Sequence, residues 1–205
     1  MVEITASMVK ELRNKTGTGV MDCKEALKES NGDMEKAMDF LRQKGLATAR
    51  KRAGRATQNG LIHAYIHSGG SLGVLVEVNC ETDFVAKTDQ FQDFVHNLAM
   101  HVAAVNPICI DPESLPEIVL AREREIYKAQ ALDMGKPEKI LDKIVQGKLK
   151  KFYTDVCLLN QAYVKDPDKT IQDFLNETIA SLGENINIRR FIRFQLGEAL
   201  EEAKE

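Results

Sequence analysis

The hydrophobic period of the chain changes at Gly60. Before it, apolar residues recur at helical spacing: Met8, Val9 and Leu12, then Val20, Cys23, Ala26 and Leu27, then Met34, Ala37, Met38 and Leu41. After it, Leu61, His63, Tyr65 and His67 alternate with Ile62, Ala64 and Ile66, and Val74, Val76 and Val78 share one face of a second run. A 3.6-residue period cannot line one face of a strand, nor a period of two one face of a helix. The chain is therefore neither all-helical nor all-β.

Punctuation divides the first part into three short helices. Thr5 or Ser7 is placed to cap the first, and Thr16-Gly17-Thr18-Gly19 ends it. Asn31-Gly32-Asp33 separates the second, about Val20 to Ser30, from the third, for which Gly45 is the expected residue just past the end. Residues 42–55 hold Arg42, Lys44, Arg50, Lys51, Arg52 and Arg55 with no acidic residue; they read as a solvated basic linker helix, with a contact to RNA or to an acidic partner face as the alternative. Beyond Gly60, Ser68-Gly69-Gly70-Ser71 joins two strands into an antiparallel hairpin. A long helix follows with Phe91, Phe94, Val95, Leu98 and Val102 on one stripe; Asp89 and Gln92 are placed to cap it, and it stops near Asn106-Pro107. Helices are expected over 116–134 and 137–152, a strand over 156–164, and a helix from Thr170 to Leu182 closed by Gly183. In the last strand Ile186, Ile188, Ile192, Phe194 and Leu196 share one parity, interrupted by Arg190. The order predicts an α+β fold in two parts: a three-helix domain with its basic linker helix over 1–55, and an α+β core with a small antiparallel sheet over 56–205.

Charge supports that division. Residues 1–55 carry twelve basic and eight acidic side chains; the rest carry sixteen and twenty-three, for a net charge of −3. The chain lacks the strong basicity of a bulk nucleic-acid binder, and no aromatic residues interleave the 42–55 stretch to stack on bases. No apolar run approaches the ~20 residues that span a bilayer, and Met1 to Lys10 lack a signal-peptide core. The expectation is a cytoplasmic protein with no membrane contact. Cys23, Cys80, Cys109 and Cys157 are widely and irregularly spaced, which suits free buried thiols better than a zinc or redox pair.

Enzyme constellations are missing. There is no GxxxxGK[ST], no HExxH and no GxSxG. His63 and His67 share a strand face but stand about 13 Å apart, and His96 and His101 point roughly 140° apart on a helix. Glu198 and Glu201 read as surface acids. No bond-making chemistry, cofactor or metal is expected.

The segment Asn79-Cys80-Glu81-Thr82-Asp83-Phe84-Val85-Ala86-Lys87 stands out where the second strand gives way to the long helix. Two readings are open. In one, Thr82 or Asp83 caps a helix and Phe84 fills the core. In the other, Asp83 and Phe84 project as an acidic and aromatic tip into a partner.

Three blocks carry a resemblance: ITASMVKELRNKTGTGVMDCKEALKESNGD over Ile4–Asp33, EVNCETDFVAK over Glu77–Lys87, and GENINIRRFIRFQLGE over Gly183–Glu198. At the start, middle and end of the chain, they resemble the bacterial elongation factor Ts family, the guanine-nucleotide exchange factors of elongation factor Tu. The resemblance implies that 1–55 is a ubiquitin-associated-like domain. It implies a partner, elongation factor Tu, in its GDP-bound and nucleotide-free forms; from the charge balance, no direct nucleic-acid contact is expected. It assigns Leu12, Arg13, Val20, Met21, His67 and Leu182 to partner binding, and Thr82, Asp83, Phe84 and Val85 to dislodging magnesium from the partner. Leu182 stands where isoleucine is the family expectation, a conservative change. The chain lacks the extra subdomain of longer members, which implies a homodimer. Some short members can cross-link through a cysteine in the last strand; Ile192 occupies the middle of RRFIRF here, so the implied dimer is non-covalent.

Overall fold

The computed structural model describes residues 2–199; Glu201 and the end of the 56–205 segment lie outside the described residues. Eight helices and five strands follow in the order α1 (Ala6–Thr16), α2 (Val20–Glu29), α3 (Met34–Arg52), β1 (Asn59–Ile66), β2 (Leu72–Cys80), α4 (Asp83–Ala86), α5 (Asp89–Val105), α6 (Glu117–Asp133), α7 (Glu138–Val156), β3 (Ala162–Tyr163), β4 (Asp166–Thr170), α8 (Ile171–Leu182) and β5 (Ile186–Gln195). The fold is α+β. A three-stranded sheet has the order β1-β2-β5, and β3 pairs antiparallel with β4. Gly60 enters β1 with φ 150°, and a Cβ there would collide with the Val78 carbonyl, so only glycine fits this approach of β1 to β2.

The chain forms two compact units, each drawing on the sheet strands. The first takes in the described parts of Met1–Ile62, Glu77–Val95 and Asp173–Arg189. Its helical core is Val9, Leu12, Cys23, Ala26, Leu27, Ala37 and Leu41. At roughly 1.5–3 kcal/mol per large buried side chain, seven residues of which two are alanine make a small core. Caps supplement it. The Thr5 hydroxyl accepts from the Met8 N–H at 3.3 Å, and the Asp33 carboxylate accepts from the Glu35 and Lys36 N–H groups, both at 3.1 Å. Gly17, at φ 66°, ends α1.

Gly45 does not end the third helix. α3 continues through it to Arg52. Gly45 is buried, and a Cβ built on it would lie 3.5 Å from the Ala180 Cβ of α8. The missing side chain lets two helices approach, a use of glycine that local spacing does not reveal. The basic stretch is largely exposed, as a solvated linker helix should be, but several of its cations are paired. Arg42 pairs with Asp173 at 2.9 Å, Lys44 with Asp22 and Glu25 at 2.8 and 2.6 Å, and Arg55 with Glu81 at 3.5 Å.

The second unit takes in His63–Val76, His96–Gln172 and the described part of Arg190–Glu205. Here α6 and α7 pair as a helical hairpin over a core of Cys109, Leu115, Leu120, Leu149 and Cys157. The strand expected over 156–164 is reduced to two residues. α7 runs to Val156, a 3-10 turn covers Leu158–Asn160, and only Ala162–Tyr163 is strand. Its partner β4 is polar (Asp166-Pro167-Asp168-Lys169-Thr170) and carries no alternating apolar signal. His101 is fully buried. Its Nδ1 accepts from the Val164 N–H at 3.4 Å, which leaves Nε2–H to donate to Gln161 Oε1 at 3.1 Å.

The last strand departs from a single parity. Ile186 and Ile188 are buried, whereas Ile192 and Phe194, of the same parity, are exposed, and Phe191 and Arg193 are half-buried instead. The buried parity thus switches between Ile188 and Phe191. Ile192 and Phe194 are left outward.

Candidate functional site

The first unit presents the Thr82–Val85 segment as a short capped turn. The Thr82 hydroxyl accepts from the Val85 N–H at 3.4 Å and donates to Glu184 Oε1 at 2.6 Å. The Thr82 N–H donates to Glu184 Oε2 at 3.0 Å. One carboxylate thus accepts from both of the threonine's donors. The adjacent Glu81 carboxylate accepts from the Asn185 N–H at 2.6 Å, and Asn185 Nδ2 donates to the Arg55 carbonyl at 2.8 Å. Cys80 Sγ donates to the Thr82 carbonyl at 3.1 Å. Burial, with the Glu184 charge beside it, pushes the Cys80 thiol up to about 11, so it stays protonated and donates. The base of the turn is fixed from Gly183-Glu184-Asn185, about a hundred residues away in sequence.

The top of the turn is free of the core. Phe84 is 78% exposed, which removes the reading in which it fills the core under the helix. Asp83 receives Lys87 Nζ at 2.6 Å, and this pairing holds its carboxyl below the ordinary carboxylate value. The following helix is capped by neither Asp89 nor Gln92. Thr88 does this: its hydroxyl accepts from the Phe91 N–H at 3.2 Å and donates to the Val85 carbonyl at 2.8 Å.

The three-helix part offers a second surface in the same unit. Val20 and Met21 are 50% and 75% exposed. Arg13 and Val20 line a groove of about 440 Å3 with Ile4, Val9, Lys10 and Lys24. Leu12, expected to touch a partner, has no exposed surface; it sits in the bundle core, under the face that Arg13 shares. Leu182 is half-buried at the end of α8. The neighbouring Ser181 hydroxyl donates to the Gly17 carbonyl at 3.0 Å and accepts from Gln90 Nε2 at 2.8 Å, so one residue ties the α1–α2 turn to the start of α5. His67, in the second unit, is exposed, with Nδ1 2.9 Å from the Tyr65 hydroxyl.

A family model described as "Elongation factor TS" matches residues 3–198. The chain belongs to the elongation factor Ts family. The chain is 62% identical over 198 residues to "Elongation factor Ts" of Thermoanaerobacter sp. (strain X514), covering 97% of both chains. It is 62% identical to that of Desulfosudis oleivorans, covering 97% of this chain and all of the relative. It is 60% identical to that of Moorella thermoacetica, covering 98% of this chain and all of the relative. Membership makes the protein a translation elongation factor.

Sequence reasoning missed Glu184, Asn185 and Thr88 as positioning residues of the tip. Thr88 was legible as a capping residue one position before the helix. Glu184 and Asn185 gave no local signal, because their partners lie 102 and 104 residues away. Among the described residues no three His, Cys, Asp or Glu side chains converge as a metal-holding group, and no helix is long and apolar enough to cross a membrane.

Proposed function

We propose that this protein is a cytoplasmic guanine-nucleotide exchange factor for elongation factor Tu, acting by binding rather than by bond chemistry. The observation that carries the reading is Phe84: a large aromatic left in solvent at the head of a turn whose base is held by two carboxylates. A rigid, exposed aromatic inserts into a partner at little ordering cost. Phe84 is the wedge; Asp83 brings a carboxylate toward the magnesium and phosphate site of the partner; Thr82 and Val85 hold the turn that carries both. The 1–55 part docks through Arg13, Val20 and Met21, with Leu12 supporting that face from the core, and Leu182 and His67 add contacts. Factor and nucleotide then weaken each other's binding reciprocally. A ~10⁴-fold acceleration of release needs about 5.5 kcal/mol, which several contacts share.

A non-covalent homodimer belongs to the same reading. Ile66, Leu75, Ile192, Phe194 and Leu196 of the second unit are exposed, an apolar surface that a second copy would cover. Sedimentation should give twice the chain mass; a monomer at micromolar concentration overturns the dimer and leaves exchange untouched.

The exchange reading is tested by release of a fluorescent GDP analogue from elongation factor Tu across a magnesium titration. Acceleration that shrinks as magnesium rises supports the whole reading. Acceleration indifferent to magnesium keeps exchange and removes the role of Asp83. No acceleration by folded protein overturns it.

A further inference from the structure

The tertiary structure of the second unit pairs two histidines that the sequence sets 33 residues apart. His63 on β1 and His96 on α5 place Nε2 and Nδ1 3.1 Å from each other, with the rings edge-to-face at a centroid distance of 5.2 Å. The Tyr65 ring lies against His96 at 5.7 Å, and the Tyr65 hydroxyl meets His67 Nδ1 at 2.9 Å. His63 is half-buried and His96 exposed, so the pair opens to solvent.

We propose that His63 and His96 form a binding site for a divalent transition cation of the zinc or nickel class, which takes the place of the hydrogen now shared by the two rings as that hydrogen moves to the donor ring's other nitrogen. Two nitrogens bound to zinc at about 2.0–2.1 Å lie about 3.3–3.4 Å apart at a tetrahedral angle, and about 2.9 Å apart at a right angle. The observed 3.1 Å falls between these, so a small ring rotation creates the bite. Neutral imidazole is the form that ligates. Nitrogen donors select borderline transition cations over magnesium and calcium, which take oxygen ligands. With two protein ligands, water completes the coordination, and the ion exchanges readily. It joins a strand to a helix and lies one ring contact from the Tyr65–His67 pair.

The test uses the full chain in chelator-free buffer with zinc alone. Calorimetry gives the stoichiometry, and long-range nitrogen–proton spectra follow the ring nitrogens directly. The expected result is one zinc per chain, with the His63 and His96 ring resonances moving together and magnesium at the same concentration moving neither. His63→Gln and His96→Gln, checked for folding by circular dichroism, should each weaken zinc binding roughly tenfold or more. Ring resonances of His63 and His96 unmoved at saturating zinc, movement of only one ring, or undiminished zinc binding in both variants overturns the site. The wild-type spectra decide even if a variant fails to fold.

Discussion

The Glu184 carboxylate accepts both the backbone N–H and the hydroxyl of Thr82, at 3.0 and 2.6 Å. Hydrogen bonds to a charged group are worth about 1.5–3 kcal/mol each. Part of that holds the turn in place rather than the whole fold. Glu184→Ala is therefore expected to lower the unfolding free energy by about 1–3 kcal/mol and to slow nucleotide exchange roughly tenfold. A double-mutant cycle with Thr82→Val, read by urea unfolding, should show a coupling above about 0.5 kcal/mol. Additive effects of the two substitutions would mean the residues are not coupled.

Phe84 gives the opposite pattern. An exposed side chain contributes little to folding, so Phe84→Ala should change stability by less than about 0.5 kcal/mol. Exchange at subsaturating factor should still fall strongly. Thermal unfolding and GDP release on the same sample separate the two; a protein that unfolds while its folded fraction exchanges normally would refute the wedge.

Gly45 sits within a helix against Ala180. A Cβ at 3.5 Å makes an ordinary contact, and alanine is a better helix former than glycine by about 1 kcal/mol. Gly45→Ala should therefore raise the urea midpoint, whereas Gly45→Leu should lower stability by about 1–3 kcal/mol through overpacking. A stabilising leucine would show that the two helices separate at no cost.

His101 carries a pH signature. Burial holds its imidazole below the ordinary 6.5, against a smaller upward pull from Gln161. Below that value the unfolded chain takes a proton that the folded chain refuses. The His101 contribution is thus complete above pH about 6.5 and is lost as pH falls toward the folded-state value, at no more than about 1.4 kcal/mol per pH unit. Urea unfolding of wild type and His101→Gln between pH 5 and 7.5 isolates it, since other groups cancel in the difference. A pH-independent difference would place His101 outside the linkage.

Helix positions, the hairpin and the α+β class were legible because each rests on a period or a turn signal within a dozen residues. The last strand shows where that limit falls. Ile192 and Phe194 share the parity of Ile188, yet only Ile188 is buried, because parity groups residues on a face but does not say what packs against it along the strand. β4 was invisible for a related reason: its polar residues gain a strand conformation from β3, not from their own pattern.

The sequence by itself determined the three N-terminal helices, a cap at Thr5 or Ser7, the turn at Asn31-Gly32-Asp33, the hairpin and the family. It also marked Thr82–Val85 as the segment to watch, without deciding whether Phe84 lies inside or outside. Tertiary structure alone decided that Phe84 is exposed, that Leu12 is core, that Gly45 is a helix contact, and that Glu184 clamps Thr82. The physical reason is range. Backbone preferences and caps act over three or four residues, whereas burial and long-range hydrogen bonds exist only once distant segments have met.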